Sequence, residues 1–192
     1  MTGAKSAEER RWWRISWAYV AAIYLSLYPL QFALDFLRER NLLRLSLAAL
    51  ALVLAGVAVR VLARRCAGRR EWLVLVLVGA TYVLAAMRMP IVQERLHLAE
   101  YGLLALAFRR ALALRAAASG GRPGALGTAA GAAGLAALAG LVDELIQGVL
   151  PNRQYDLRDV GFNAGAAVLA LVAAGALAGA RASDGRRQEA AR

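Results

Sequence analysis

The stretch GLVDELIQGVLPNRQYDLRDVGFNAGAAVLAL, residues 140–171, places two apolar runs on either side of a short polar segment. Pro151 and Asn152 are helix breakers, whereas the flanking runs are rich in helix-compatible Leu and Ala and in small Gly. Small residues let the backbones of neighbouring helices approach closely. The stretch therefore predicts two packed helices whose adjacent ends carry an unusual density of charge.

The whole chain is too apolar for an ordinary soluble domain. It has 192 residues, 60% of them hydrophobic and only 19% charged, with a mean hydropathy of +0.48. A membrane-spanning helix needs about 20 mostly apolar residues. Six such runs lie near residues 13–36, 42–63, 72–89, 96–114, 124–149 and 158–180. We predict an all-α, polytopic membrane bundle of about six transmembrane helices, forming a single domain over residues 12–180.

The fourth run is the weakest of the six. It is apolar only from His97 to Phe108, and it reaches full length only if Arg109 and Arg110 extend their side chains to the membrane surface. A re-entrant or shortened helix is the alternative for residues 96–114.

The distribution of basic residues predicts the orientation of the chain in the membrane. With six spans, most of the 24 Lys and Arg residues fall on the side that holds both termini, which predicts a cytoplasmic N-tail at 1–11 and a disordered cytoplasmic tail at 181–192. The net charge of +11 is then mainly a topology signal, and no basic stripe with interleaved aromatic residues favours nucleic acid as a partner. Cys66 stands alone, so no internal disulfide is expected.

Ionisable residues gather at the predicted outer ends of the fourth, fifth and sixth spans. His97 and Glu100 are three positions apart, and Asp143 and Gln147 are four apart, so each pair shares a helix face. Asp156, Asp159 and Asn163 are three and then four apart, which predicts one polar stripe if the sixth helix begins near Asp156. Ionisable groups at this depth are costly unless they pair or line a wet cavity, and they are functional candidates by default. The spacing predicts that these side chains converge.

Two segments carry a family resemblance: ERLHLAEYGLL at 94–104 and DELIQGVLPNRQYDLRDVGFNAG at 143–165. In their order and spacing they resemble the VanZ-like family of small bacterial membrane proteins, over roughly residues 90–170. One departure is Gly165, which follows Asn163 by two positions where the family commonly has three. The matching residues are Glu94, Arg95, His97, Tyr101, Asp143, Glu144, Gln147, Arg153, Asp159 and Asn163. The resemblance implies a multi-pass protein of the bacterial cytoplasmic membrane with a role in cell-envelope processes or teicoplanin resistance.

Two classes of function follow. In the first, the site recognises an amphiphile among membrane lipids, such as a lipid-linked cell-wall precursor or a lipoglycopeptide, with Arg153 meeting a phosphate or carboxylate. In the second, the chain is an intramembrane metal- or His-dependent hydrolase or transferase acting on lipid head groups, with His97 as acid or base and the acidic cluster holding a divalent metal or tuning His97. The candidate catalytic residues are His97, Glu100, Asp143 and Glu144, and the candidate ligand-binding residues are Glu94, Arg95, Tyr101, Gln147, Arg153, Asp159 and Asn163. A transporter is less favoured, because the first three spans show no internal repeat.

Structural roles compete with these functions. His97 could be an interfacial histidine bonded to Glu100, and Arg153 could pair with Asp156 or Asp159 to close the loop. A hard cation held by Asp143, Glu144, Asp159 and Asn163 is chemically possible, but no spacing specifies one and no zinc set is present, so the cofactor stays open. Glycine pairs at four-residue spacing predict close helix contacts in the last two spans. These pairs are Gly127 with Gly131, Gly161 with Gly165, and Gly175 with Gly179.

Overall fold

The fold was analysed in a computed structural model that describes residues 2–43, 68–89, 92–120, 124–151, 153 and 155–190, with isolated residues between 45 and 60. The described residues form five helices, which confirms the all-α prediction for this part of the chain. They are α1 (Thr2–Glu39), α2 (Arg69–Arg88), α3 (Val92–Ala118), α4 (Ala125–Gln147) and α5 (Leu157–Ala190). Residues in the left-handed region, Asn41 and Gly120, follow the ends of α1 and α3, where helices commonly stop in this conformation.

Four of the helices are long and apolar enough to cross a membrane. They are Ser6–Glu39, Arg69–Arg88, Ala125–Gln147 and Leu157–Gly179, which correspond to the first, third, fifth and sixth predicted spans. The second predicted span, 42–63, lies largely outside the described residues. The chain is therefore a helical membrane protein by length and composition, with four apolar helices among the residues described.

The fourth predicted span, 96–114, corresponds to α3, which is the most enclosed helix of the bundle. It packs against α1, α4 and α5, and Leu104, Ala105, Phe108 and Ala111 on it are fully buried. A helix covered by protein on several sides needs less apolar surface than one that faces lipid. The enclosure explains why α3 can carry charged residues and falls outside the four apolar helices.

Contacts between residues of neighbouring helices show the relative directions of the helices. Helices α1, α2 and α4 run one way, and α3 and α5 run the other way. The contacts that establish this are Glu8 with Arg110, Trp13 and Trp17 with Phe108, Tyr24 with Ala139, Leu112 with Gly131, Asn163 with Gly140, Tyr82 with Ala166, and Met89 with Leu98. The start of α3, the end of α4 and the start of α5 consequently lie side by side, as the sequence predicts for the last two spans.

Close helix packing falls at other glycines than those predicted. A Cβ atom on Gly140 would lie 3.0 Å from Asn163 Cβ, and one on Gly102 would lie 2.7 Å from the Tyr82 hydroxyl. By contrast, no described atom lies within 4 Å of a Cβ built on five of the six predicted glycines, namely Gly127, Gly161, Gly165, Gly175 and Gly179. Among the described residues these five glycines make no close helix contact, because a four-residue spacing does not say which helix face meets a neighbour. Gly131, against Leu112 at 3.1 Å, is the exception.

Both ends of the chain are more helical than expected. Helix α1 begins at Thr2, within the predicted N-tail, and α5 continues to Ala190, where the sequence suggested disorder from residue 181. The residues after 180 include Ala, Arg, Gln and Glu, which have high intrinsic helix propensity. A helix that is already nucleated in the bundle can therefore extend through them.

Candidate functional site

A polar site lies where the start of α3, the end of α4 and the start of α5 meet. On α4 the polar face follows directly from helical spacing, since Asp143, Glu144 and Gln147 continue the stripe of small buried residues that ends at Gly140. The absence of a side chain at Gly140 lets Asn163 of α5 approach this stripe. The buried polar side chains of the site are His97, Asp143, Glu144, Gln147, Asp159 and Asn163, together with the hydroxyl of the fully buried Tyr101.

The two adjacent carboxylates of α4 are held by hydrogen bonds. The Gln147 amide nitrogen donates to Asp143 Oδ2 at 3.2 Å and to Glu144 Oε1 at 3.1 Å. The backbone N–H of Asp156 donates to the other oxygen of Glu144 at 3.2 Å. These bonds fix both carboxylates, and they connect α4 to the segment that precedes α5.

His97 and Tyr101 of α3 face Asp143 from the neighbouring helix. His97 Nδ1 lies 3.3 Å from Asp143 Oδ2, and the His97 side chain is only 5% exposed. The Tyr101 hydroxyl is also directed at Asp143, at a geometry outside that of a formed hydrogen bond. The Tyr101 ring is 6.0 Å from the imidazole. Asp143 is thus the residue on which α3 and α4 converge.

Seven buried side-chain atoms have no hydrogen-bond partner among the residues that the structure describes. They are His97 Nδ1, Tyr101 Oη, Asp143 Oδ1, Arg153 Nε and Nη2, and Asn163 Nδ2 and Oδ1, and we call them the open polar atoms. All belong to residues of the predicted site. Native proteins leave few buried polar atoms without partners, because each costs about 1–3 kcal/mol. Their concentration at one place marks the site as chemically incomplete by itself.

Arg153 supplies positive charge from the segment between α4 and α5. Its backbone N–H donates to the Leu150 carbonyl at 3.4 Å, which closes a turn after the end of α4. The guanidinium acts electrostatically on His97, Asp143 and Asp159. Arg153 therefore belongs to the polar site.

The loop-closing ion pair predicted for Arg153 with Asp156 is instead made by Arg158. Arg158 Nη2 lies 2.7 Å from Asp156 Oδ2, and the Arg158 backbone N–H donates to Asp156 Oδ1 at 2.8 Å. The second contact caps the first turn of α5. Hydrogen bonds from the Arg158 side chain, followed by the one from its backbone N–H, hold the pKa of Asp156 below its usual range. Asp156 therefore caps α5, and it does not share the buried polar stripe of Asp159 and Asn163 that the sequence predicts for it.

Three predicted residues stand apart from the core of the site. Glu100 is half-buried and acts electrostatically on Asp143 and Tyr19, so it lies at the edge. Arg95 is exposed, and its guanidinium donates to the Met89 carbonyl at 2.9 and 3.1 Å, which makes it a cap between α2 and α3. The side chain of Glu94 lies outside the described residues.

Sequence reasoning missed two tyrosines that support the site. The Tyr24 hydroxyl of α1 donates to the Ala139 carbonyl at 2.8 Å, one helical turn before Asp143. The Tyr82 hydroxyl of α2 donates to the Ala166 carbonyl at 2.6 Å, close to Asn163. Each bond links helices that are far apart in sequence, so no local spacing could have indicated it.

A separate cleft lies at the opposite end of the bundle. It has a volume of about 690 Å³ and is lined by Glu9, Trp13, Trp17, Arg115, Ser119 and Leu135. It shares no residue with the polar site.

Comparison with known proteins gives no family assignment. No family model matches the sequence, and no match was found among curated proteins or solved structures. The interpretation of the site therefore depends on its own geometry and on the motif resemblance.

Proposed function

We propose that this chain is a membrane protein that binds the polar head group of a lipid-linked amphiphile at the site formed by α3, α4 and α5. The observation that carries the proposal is the concentration of the seven open polar atoms in this one place. A ligand that donates to and accepts from these atoms would recover the free energy that their burial costs. The resemblance to the VanZ-like family points to an envelope precursor or a lipoglycopeptide such as teicoplanin.

Arg153 makes an anionic head group the preferred ligand. Nε and Nη2 of its guanidinium are both open polar atoms. A guanidinium binds phosphate or carboxylate through parallel hydrogen bonds, which are stronger than neutral ones. Asn163 and Tyr101 add neutral donors and acceptors beside it. A phosphate that carries a hydroxyl- or amine-bearing group satisfies this combination.

The direct test measures head-group binding by the purified full chain in lipid nanodiscs. Polyprenyl phosphate and teicoplanin serve as probes, and Arg153→Gln is compared with Arg38→Gln. Arg38 is a matched control, because it is an exposed arginine that pairs with Asp35 on the same predicted side of the membrane. We expect Arg153→Gln to lower the affinity for a bound probe about tenfold or more, with no change for Arg38→Gln. The proposal would be contradicted if Arg153→Gln and Arg38→Gln bound a probe with equal affinity, or if the wild type bound neither probe.

A cellular test addresses the phenotype that the resemblance implies. A bacterial host would express the wild type, His97→Ala, Asp143→Ala or Arg153→Ala at matched membrane levels, and teicoplanin susceptibility would be measured. Protection by the wild type that each substitution removes would connect the polar site to envelope chemistry. No protection by the wild type would remove the teicoplanin assignment.

The His97–Asp143 contact favours a second candidate, a hydrolase or transferase acting on lipid head groups. A carboxylate beside an imidazole orients the ring and suits it to general acid–base chemistry. The variant His97→Gln separates the two candidates. A binding protein would lose about 1–2 kcal/mol of affinity, as for one hydrogen bond. An enzyme would lose turnover by about 100-fold or more while remaining folded.

A further inference from the structure

We propose that the polar site binds one first-row divalent metal ion, such as Zn²⁺ or Mn²⁺, through His97, Asp143 and Glu144. The inference concerns the same site as the proposed function, and it adds an inorganic partner that neither sequence spacing nor the motif resemblance specifies. It is supported by four features of the site: ligand geometry, bracing of the carboxylates, further buried polar groups, and charge.

The three side chains have metal-ligand geometry. Each offers one ligand atom, an imidazole nitrogen or a carboxylate oxygen, and these atoms all lie within 4.8 Å of one another. His97 Nδ1 and Asp143 Oδ2 are 3.3 Å apart. Two ligands bound at about 2.0–2.2 Å in a tetrahedral site are separated by about 3.4 Å. This pair is already at the required spacing, and a ligand oxygen of Glu144 lies within 4.8 Å of both atoms, so it can complete three protein ligands.

Hydrogen bonds brace the two carboxylates as in metal sites. Metal-binding carboxylates are usually oriented by further hydrogen bonds, which tune the affinity for the ion. Gln147 bonds both Asp143 and Glu144, and the Asp156 N–H bonds the second oxygen of Glu144. Asp143 Oδ1 remains an open polar atom. The carboxylates are therefore held in place while retaining lone pairs for a cation.

Two fully buried residues give an independent indication of a polar ligand. The Tyr101 hydroxyl is directed at Asp143 from α3, and the Asn163 amide nitrogen and the Tyr101 ring both border Gly140, one helical turn before Asp143. Both are 0% exposed, and their polar atoms are open. A bound ion with its own water molecules would supply partners for these groups, since waters complete the coordination of ions with few protein ligands.

Charge also favours a cation. Asp143 and Glu144 are adjacent and almost completely buried, and Glu100 and Asp159 act on them electrostatically. Arg153 is the basic residue that acts on Asp143. Buried charges must be paired or coordinate a metal, because their desolvation is expensive. A divalent ion and the Arg153 guanidinium together carry three positive charges, which nearly balance the four negative charges of these ionised carboxylates.

The ligand types select the class of metal. Calcium takes six to eight oxygen ligands and magnesium favours oxygen and water, whereas an imidazole nitrogen suits zinc and the other first-row ions. One nitrogen and two carboxylates therefore favour Zn²⁺ or Mn²⁺. Three protein ligands leave a coordination position open, which is the arrangement of catalytic zinc sites.

The test uses the full chain, purified in detergent, stripped with chelator and free of the lipid-linked probes. Zn²⁺ and Mn²⁺ are titrated by calorimetry, and bound metal is counted by elemental analysis after gel filtration. We expect one equivalent per chain in the wild type. His97→Gln and Asp143→Asn should each weaken binding about tenfold or more. Glu39→Gln, at the end of α1 and remote from the site, should match the wild type.

Spectroscopy keeps the proposal testable if a variant is poorly folded. Bound Mn²⁺ gives a magnetic-resonance signal that includes coupling to a ligating nitrogen. The wild type should show this coupling and His97→Gln should lack it. A folded wild type that retains no stoichiometric metal, or metal binding unchanged in both site variants, would overturn the proposal. Because no lipid or antibiotic enters these measurements, the metal site can fail while head-group binding holds, and the reverse.

Discussion

Asn163 is expected to reduce the stability of this protein, and replacing it with leucine should increase that stability. Its side chain is fully buried on α5, and both amide atoms are open polar atoms. A buried polar group without a partner costs about 1–3 kcal/mol. Leucine branches at the same carbon as asparagine and has similar volume, so Asn163→Leu removes this cost with little change in packing.

The size of the effect is measurable. For chains of 150–250 residues, 1 kcal/mol shifts the melting temperature by about 2–4 °C, so Asn163→Leu should raise it by roughly 2–12 °C. The assay is thermal unfolding in detergent after chelator treatment, followed by circular dichroism. The same variant should bind polyprenyl phosphate and teicoplanin more weakly than the wild type, because the amide is no longer present to contact a head group.

Substitution of Gln147 should change the melting temperature in the opposite direction. It lies on the same buried surface, but its amide makes two hydrogen bonds to carboxylates. Gln147→Met keeps the shape and removes both bonds, so it should lower the melting temperature where Asn163→Leu raises it. If Asn163→Leu also lowered the melting temperature, the asparagine would have partners in the folded protein, and the argument from unpartnered atoms would fail.

Substitutions at Gly140, Tyr82 and Asp156, two of them with a comparison variant, test the packing and capping around the site by thermal unfolding in detergent. Gly140→Ala should cost about 1–3 kcal/mol, because the new Cβ would lie within 3.4 Å of its neighbours, whereas Gly161→Ala should cost nothing, because no described atom lies within 4 Å of its Cβ. Tyr82→Phe should lower the melting temperature, since it removes a 2.6 Å bond between α2 and α5, and an unchanged value would show that this bond contributes nothing. Asp156→Ala should lower it more than Asp156→Asn, which keeps a capping oxygen. The pKa of Asp156 is depressed by Arg158, so the loss of stability of Asp156→Ala relative to the wild type should persist at neutral pH and shrink only as the pH falls below the usual Asp range, where Asp156 becomes protonated.

The apolar helices were predictable from sequence, because hydropathy measures how suited a helix surface is to lipid. The predicted spans 72–89 and 124–149 differ from α2 (Arg69–Arg88) and α4 (Ala125–Gln147) by three residues or fewer at each end. Hydropathy is a poor guide to α3. Its surroundings are other helices, and protein can accept Glu100 or Arg109 where lipid cannot.

The convergence of the site was only partly predictable. Spacing of three and four residues correctly placed Asp143 with Gln147, and Asp159 with Asn163, on buried faces of their helices. It could not show that His97 meets Asp143, which requires the relative rotation of two helices. Nor could spacing show that Asp156 turns away to cap α5. Those features depend on contacts between segments far apart in the chain.

The position of α3 connects the weakest hydropathy signal with the polar site. A helix that is exposed to lipid cannot carry His97 and Glu100 without a large desolvation cost, whereas one enclosed by α1, α4 and α5 can present them to groups on its neighbours. The same enclosure buries Asp143 and Glu144 beside few positive charges, which leaves the site dependent on protons, a cation or a ligand. The helix least suited to lipid is therefore the one on which a polar site can be assembled. The polar residues near the start of α3 follow from this enclosure, and they do not require α3 to be the frayed end of a short span.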